Sequence, residues 1–119
     1  DPYHKQWAEM ELIEKCAWNW NKVNTTIMNF FETLPAERKL QLKAEDIFAG
    51  DLNLINEVFG FVRDARRPST SRIKKVIRKK INKQNIGSFP SPERWTEKQV
   101  DSVMEIVNPA MRRLGYERS

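Results

Sequence analysis

The fold of this chain is decided by residues 9–34, which read EMELIEKCAWNWNKVNTTIMNFFETL. Apolar side chains recur there at steps of three and four, the spacing of one helix face: Met10, Ile13, Ala17, Trp20, Val23, Ile27, Phe30 and Leu34. Three glutamates lie near the start, where the helix dipole favours acids. Pro35 ends the pattern, since a proline disfavours helical geometry in the residue before it. The sequence predicts a long helix whose apolar face forms one wall of a core.

The size and composition of the chain are those of one folded domain. It has 119 residues, of which 39% are hydrophobic and 31% charged, enough to build a single core. We therefore predict one domain over residues 1–119. No apolar run approaches the roughly 20 residues that a membrane helix needs, so no membrane span is expected. No secretory signal is recognisable at the start.

Catalytic and metal-binding motifs of the usual kinds are not found. Cys16 is the only cysteine and His4 the only histidine, which excludes an internal disulfide and argues against a structural zinc site. A reducing compartment such as the cytoplasm fits this cysteine usage. Cys16 falls inside the helical pattern and is expected to be a packed core thiol. The chain has neither a G-x-x-x-x-G-K-[ST] nor a G-x-G-x-x-G phosphate loop, and we assign no catalytic residue and no metal ligand.

The middle of the chain has weaker structural signals. Leu40 and Leu42 alternate with polar neighbours, which indicates a short strand near residues 39–43. Asp51 can cap a second helix over residues 52–59, and Gly60 fits the left-handed position that ends a helix. A short helix is also expected over residues 71–80.

The last helix has the clearest signals of all. Thr96 and Gln99 have the spacing of a capping box, in which each side chain satisfies a backbone amide at the start of the helix. An apolar stripe follows from Val100 to Leu114, and two arginines precede Gly115, which suits a helix end.

Positive charge is concentrated in one segment. Residues 63–83 hold ten of the 21 basic residues and one acid, while the rest of the chain is net acidic. This segment either coats a solvated helix face or binds an anion such as phosphate or sulfate. Lys83, Gly87 and Ser88 extend the second interpretation, because a lysine adds charge, a glycine lets backbone amides approach an oxyanion, and a serine adds a hydroxyl donor.

Taken in order, these segments resemble the carboxy-terminal part of the sulfotransferase family that uses 3′-phosphoadenosine 5′-phosphosulfate (PAPS). The resemblance covers roughly residues 15–117, and order and spacing carry it more than any one motif. The matching stretches are WNWNKVN at 18–24, LQLKAEDI at 40–47, VFGF at 58–61, GSFP at 87–90, WTEKQ at 95–99 and LGY at 114–116.

The resemblance implies an α/β fold, in which a parallel sheet of P-loop-like type is flanked by helices. This chain would be mainly helical, with one short strand near residues 39–43. Because a lone buried strand leaves its backbone groups unpaired, we expect that strand to lie beside a sheet supplied by a missing amino-terminal half or by another chain.

The resemblance also implies a reaction, the transfer of a sulfonate group from PAPS to a hydroxyl or amine acceptor. This chain would contribute to binding of the 3′-phosphate and to one wall of the acceptor pocket. Lys83, Gly87 and Ser88 would be the counterparts of the family loop that binds the 3′-phosphate, although the run Asn82-Lys83-Gln84 departs from the family's Arg-Lys-Gly. The family's loop for the 5′-phosphosulfate and its early catalytic base have no counterpart here. Whether this chain is an enzyme by itself, and which acceptor it serves, therefore stay open.

Two other classes of function remain. The chain fits a small basic helical module that binds nucleic acid or another polyanion through residues 63–83. It also fits a structural helical domain whose basic face is merely solvated.

Overall fold

The computed structural model describes residues 2–62, 66–79 and 91–116. The described residues form five α-helices and three short 3-10 turns. The helices are α1 (Leu12–Glu32), α2 (Ala44–Phe48), α3 (Leu52–Val62), α4 (Thr70–Arg78) and α5 (Glu97–Arg113), and the turns are His4–Gln6, Ala36–Arg38 and Pro92–Arg94.

The chain divides into two compact units. One consists of Asp1–Thr33 together with Ser88–Ser119, and the other of Leu34–Gly87. We call them the terminal unit and the central unit. The prediction of a single domain over residues 1–119 stays a prediction.

The expected α/β fold is wrong for the part of the chain that the structure describes, which is helical and contains no strand. Residues 39–43 do have extended backbone at both ends: Lys39 has φ −135° and ψ 142°, and Lys43 has φ −88° and ψ 128°. Extended backbone becomes a strand only where a neighbouring strand exchanges amide hydrogen bonds with it, and none of the described residues offers such a neighbour. Two alternating leucines were too little signal for a sheet.

The first helix begins and ends close to its predicted limits. Glu11 precedes its first residue, and the backbone N–H of Glu11 donates to Glu14 Oε2 at 2.7 Å. The helix ends at Glu32, where the Thr33 N–H donates to the Phe30 carbonyl at 3.0 Å. Pro35 follows in extended conformation, as its fixed φ requires.

The apolar face of α1 is buried over only part of its length. Ile13, Ala17 and Met28 are buried, but other members of the predicted face lie in solvent. The exposed fractions are 38% for Trp20, 47% for Val23, 46% for Ile27 and 59% for Phe30. The prediction of one continuous buried face is therefore wrong. Helix α5 packs on the side that carries Ile13 and Ala17, on average roughly a quarter of a turn from the exposed row at about 100° per residue.

The core of the terminal unit is the contact between α1 and α5. It is formed by Ile13, Ala17, Val103, Ile106 and Val107, with partly buried residues packed around them. The two helices run parallel, because their starts are joined by one hydrogen bond and their ends by others. Gln99 Nε2 donates to Glu11 Oε2 at 2.9 Å, and Arg113 donates to Glu32 Oε1 at 2.8 Å.

The boundaries predicted for α5 are confirmed. The Gln99 N–H donates to Thr96 Oγ1 at 3.2 Å, and the Thr96 N–H donates to Gln99 Oε1 at 3.0 Å. The helix runs through Pro109 to Arg113. Gly115 follows with φ 78°, a left-handed conformation that glycine adopts without steric cost.

The central unit contains α2, α3 and α4. The cap predicted at Asp51 is confirmed, since its Oδ1 accepts from Asn53 N–H at 3.0 Å and from Leu54 N–H at 3.3 Å. The predicted end at Gly60 is wrong, because α3 continues to Val62. A glycine inside a helix costs only about 1 kcal/mol. Among the described residues of this unit, Gly50 is the glycine with a left-handed conformation, with φ 90°, between α2 and α3.

Candidate anion-binding site

The described part of the basic segment is centred on helix α4. Ser69 precedes the helix in extended conformation, and its hydroxyl accepts the Arg72 N–H at 3.4 Å. Serine is a favoured N-cap residue because this bond satisfies a backbone donor that the helix leaves unpaired. The helix ends at Arg78, and its last turn carries Lys75 and Arg78, where the dipole favours cations.

Helix α4 separates apolar from charged side chains by position. Ile73 is buried, with 8% of its surface exposed. It lines an apolar groove together with Val76 and Ile77. The charged residues of α4 and its C-cap are all cationic and exposed, and they are Arg72, Lys74, Lys75, Arg78 and Lys79. We call these five residues the basic face.

The electrostatics of the basic face favour an anion. Residues 66–79 contain seven basic residues and no acid, and within the described chain no carboxylate forms an ion pair with any of the five cations. The helix has nine residues and is therefore roughly 14 Å long. Neighbouring charges along it are closer than the Debye length of about 8 Å at physiological ionic strength. They repel one another, and an anion that meets two or three of them relieves that repulsion.

The residues predicted to bind the nucleotide, Lys83, Gly87 and Ser88, lie outside the described residues. Their assignment to a phosphate-binding loop stays a prediction.

The two tryptophans of α1 have different surroundings. Trp18 packs against the core of the terminal unit. It also meets Trp7 edge to face, with ring centroids 5.0 Å apart and planes at 69°. Lys15 Nζ lies 5.4 Å from the centroid of the Trp7 ring, within cation–π range. Trp18 is therefore a packing residue, whereas Trp20, expected in the core, is 38% exposed.

Four further side chains that could carry chemistry, those of Cys16, His4, Glu45 and Asp46, are exposed. The Cys16 thiol is exposed, so the expectation of a packed core thiol is wrong. His4 is exposed in a 3-10 turn. Glu45 and Asp46 lie in the first turn of α2, where acids stabilise the dipole. No group of three potential metal-ligating side chains occurs in residues 2–62, 66–79 and 91–116.

An acidic cavity of about 170 Å³ lies where α1 and α5 begin. It is lined by Glu9, Glu11 and Glu14 together with Lys98, Gln99 and Ser102. Two parallel helix starts place two positive dipole ends side by side, and acids at that position are stabilising. Glu11 and Glu14 already accept hydrogen bonds at the starts of these helices. The acidic cluster therefore has a structural role, and we assign it no ligand.

The central unit also holds an apolar groove that the sequence did not predict. Its volume is about 350 Å³, and α2, α3 and α4 all contribute walls. The inner-face residues of α3 and α4 were recognisable from their spacing, for example Ile55 and Ile73. The spacing of apolar residues does not show whether two apolar helix faces pack fully against each other. The groove between α3 and α4 could therefore not be predicted from the sequence.

The comparisons with known proteins identify no relative. No family model matches the chain, and no curated protein or solved structure is significantly similar to it. Among the helices of the described residues, none has the length and hydropathy required to cross a membrane.

Proposed function

We propose that this chain is the carboxy-terminal part of a PAPS-dependent sulfotransferase, and that its basic segment binds the 3′-phosphate of the nucleotide. The observation that carries the proposal is the basic face of α4, whose five cations are exposed and lie in a stretch, residues 66–79, that contains no acid. The sequence that follows α4 leads to Lys83, Gly87 and Ser88, the residues that the family resemblance assigns to the 3′-phosphate.

The order of helices supports the proposal. The resemblance requires a long helix before residues 40–47, another helix after them, and a last helix that begins within the WTEKQ motif. Helices α1, α3 and α5 occupy these positions. The proposal concerns ligand and reaction, and it does not require residues 39–43 to form a strand.

The reaction sets limits on what this chain contributes. In sulfonate transfer the bond from sulfur to the bridging phosphate oxygen breaks and a bond from sulfur to the acceptor oxygen or nitrogen forms. The acceptor loses a proton, and adenosine 3′,5′-bisphosphate leaves. Cations and amides stabilise the charge that develops on the oxygens. We assign to this chain part of the nucleotide site and one wall of the acceptor pocket, and we assign it no catalytic base.

Calorimetric titration with adenosine 3′,5′-bisphosphate tests the proposal, with adenosine 5′-monophosphate as the matched ligand without a 3′-phosphate. We expect the bisphosphate to bind more tightly by about tenfold, the effect of one charge-assisted contact. Lys83→Gln should remove that difference. Lys98→Gln, which removes the same charge from the first turn of α5, should not. Equal affinity for both nucleotides, or no binding of either, would contradict the proposal.

A second candidate function is general binding of nucleic acid phosphates, and the basic face also favours it. Three to five phosphate contacts would give a slope of about −3 to −5 for log K against log salt concentration. Titration with an arbitrary DNA duplex at several salt concentrations measures this slope. A steep slope with DNA, together with equal binding of the two adenosine nucleotides, would favour this candidate over the first.

A further inference from the structure

The apolar groove of the central unit has a defined floor and walls. Ile55 of α3 and Ile73 of α4 are its most buried residues, at 6% and 8% exposed. Val58 and Phe59 of α3 and Ile47 of α2 are half-buried around them. The volume is about 350 Å³, at the lower end of the range of roughly 300–1,000 Å³ for small-molecule pockets.

The lining of the groove is mostly apolar, so its contact with water is unfavourable. Its lining is apolar except for one residue, and Val76 on its α4 side is 53% exposed. Exposed apolar surface is stabilised when an apolar group displaces the water that covers it. The groove therefore favours an apolar occupant.

The one charged residue in the lining is Arg72. Lys75 follows it on α4 at position i+3, which places these two cations on one side of the helix, and Lys79 is the C-cap residue directly after the helix. Residues 66–79 carry no acid to neutralise them. An occupant that meets both the groove and this edge is complementary if it joins an apolar body to an anionic head.

The volume restricts the size of that body. A methylene group fills roughly the volume of one liquid water molecule, about 30 Å³, so the groove accommodates a chain of about twelve carbons. A whole α-helix, about 10–12 Å across with its side chains, does not fit inside this volume and could insert only side chains of one face.

We propose that the groove binds a free single-chain amphiphile with an anionic head, such as a medium-chain alkyl carboxylate. Its alkyl chain lies between α3 and α4, and its head meets the Arg72 guanidinium. Arg72 also belongs to the basic face, but the contacts proposed for the nucleotide are assigned to Lys83, Gly87 and Ser88, so the variants that test the two sites are different.

The first test is calorimetric titration of the full chain with decanoate below its critical micelle concentration, and with octanoate and decanol. We expect decanoate to bind, and affinity to change by about fourfold for each methylene group added or removed. Arg72→Gln should weaken decanoate binding by about tenfold and leave decanol binding unchanged. Lys74→Gln is the matched control, because it removes one positive charge from the same helix at a position outside the groove.

A second pair of variants tests the location. Val58→Trp fills the groove and should abolish binding of both decanoate and decanol. Val62→Trp makes the same change on α3 at a position that is 61% exposed and outside the groove, and should leave binding intact. Far-ultraviolet circular dichroism of each variant confirms that the helices are retained.

Several outcomes would overturn the proposal. If Arg72→Gln and Lys74→Gln reduced the affinity for decanoate equally, the carboxylate would be attracted by general positive charge and would have no specific contact with Arg72. Decanoate binding that survives Val58→Trp would place the ligand elsewhere. Binding to anionic phospholipid vesicles without binding of monomeric decanoate would identify a membrane surface, and absence of decanoate binding would dismiss the site.

Discussion

Gln99 of α5 donates from Nε2 to Glu11 Oε2 at 2.9 Å, and this bond joins the starts of two helices that are 88 residues apart in sequence. Gln99 Oε1 accepts from the Thr96 N–H, and the Glu11 N–H donates to Glu14. One amide side chain therefore completes its own capping box and links it to the other helix. This arrangement fixes the two helices in parallel at one end, while Arg113 and Glu32 join them at the other.

The four tryptophans make the terminal unit easy to observe. Trp7, Trp18, Trp20 and Trp95 all lie within Asp1–Thr33 or Ser88–Ser119. Tryptophan fluorescence in a urea titration therefore follows the unfolding of this unit alone, and the predictions on stability below use it.

Gln99→Glu should reduce the free energy of unfolding of the terminal unit by about 1 kcal/mol. A glutamate at this position still accepts the Thr96 N–H and keeps the capping box. It cannot donate to Glu11, and it adds a like charge there. Gln41→Glu, an exposed site outside the helices, is the control for added charge. An unchanged urea midpoint for Gln99→Glu would contradict a structural role for the bond between Gln99 and Glu11.

Thr96→Ala should lower the stability of the same unit by about 1 kcal/mol, because the Gln99 N–H loses its acceptor. Thr96→Ser retains a hydroxyl acceptor and should change stability by less than half of that amount. The two variants are compared by the same urea titration. Equal stability of the alanine and serine variants would show that the hydroxyl of Thr96 does not act as the cap.

Ile106→Ala and Ile27→Ala make the same chemical change at a buried and an exposed site. Ile106 is 5% exposed and Ile27 is 46% exposed. Truncating the buried side chain should reduce the free energy of unfolding by about 2–5 kcal/mol. Truncating the exposed side chain should reduce it by less than about 1 kcal/mol. Urea midpoints followed by fluorescence measure both. If the two substitutions reduced the free energy of unfolding by similar amounts, Ile27 would be buried as the sequence predicted for the apolar face of α1.

Tyr3 should titrate above the usual range of tyrosine. Burial raises the pKa of its hydroxyl, and the Glu105 carboxylate raises that pKa further by repelling the phenolate. In a Tyr116→Phe background, absorbance near 295 nm reports Tyr3 alone, since the chain has two tyrosines. Glu105→Gln should lower the Tyr3 pKa without returning it fully to the usual value, because burial remains.

The raised pKa of Tyr3 also makes the stability of the protein depend on pH. A raised pKa in the folded state means that folding disfavours the phenolate. The contribution of Tyr3 to stability is therefore complete below the unfolded pKa of about 10, and it is lost as pH rises through the folded pKa. If the urea midpoint of the Tyr116→Phe protein stays constant across that window, the environment assigned to Tyr3 is wrong.

Sequence reasoning succeeded where a signal is local. The capping box of Thr96 and Gln99, the Asp51 cap and the helix end before Pro35 each depend on residues within a few positions of one another. Local backbone geometry and side-chain reach decide such features, so the boundaries of α1 and α5 were predicted to within a few residues. The helices expected over residues 52–59 and 71–80 correspond to α3 and α4 for the same reason.

Sequence reasoning failed where burial depends on a distant partner. The row from Trp20 to Phe30 has the same spacing as Ile13 and Ala17, yet only the latter two meet α5. The extended residues 39–43 carry a strand pattern, but strand formation needs a second backbone segment beside them. The prediction of a parallel sheet combined this weak pattern with a family resemblance.

The amino-acid sequence by itself determined where the helices begin and end and where positive charge is concentrated, because these follow from residues close together along the chain. The tertiary structure alone decided that α1 and α5 run parallel, that half of the α1 face lies in solvent, and that α3 and α4 leave a groove beside Arg72. Those outcomes depend on which surfaces meet across long separations in sequence. Helical periodicity identifies an apolar face, but contact with another element decides whether that face is covered.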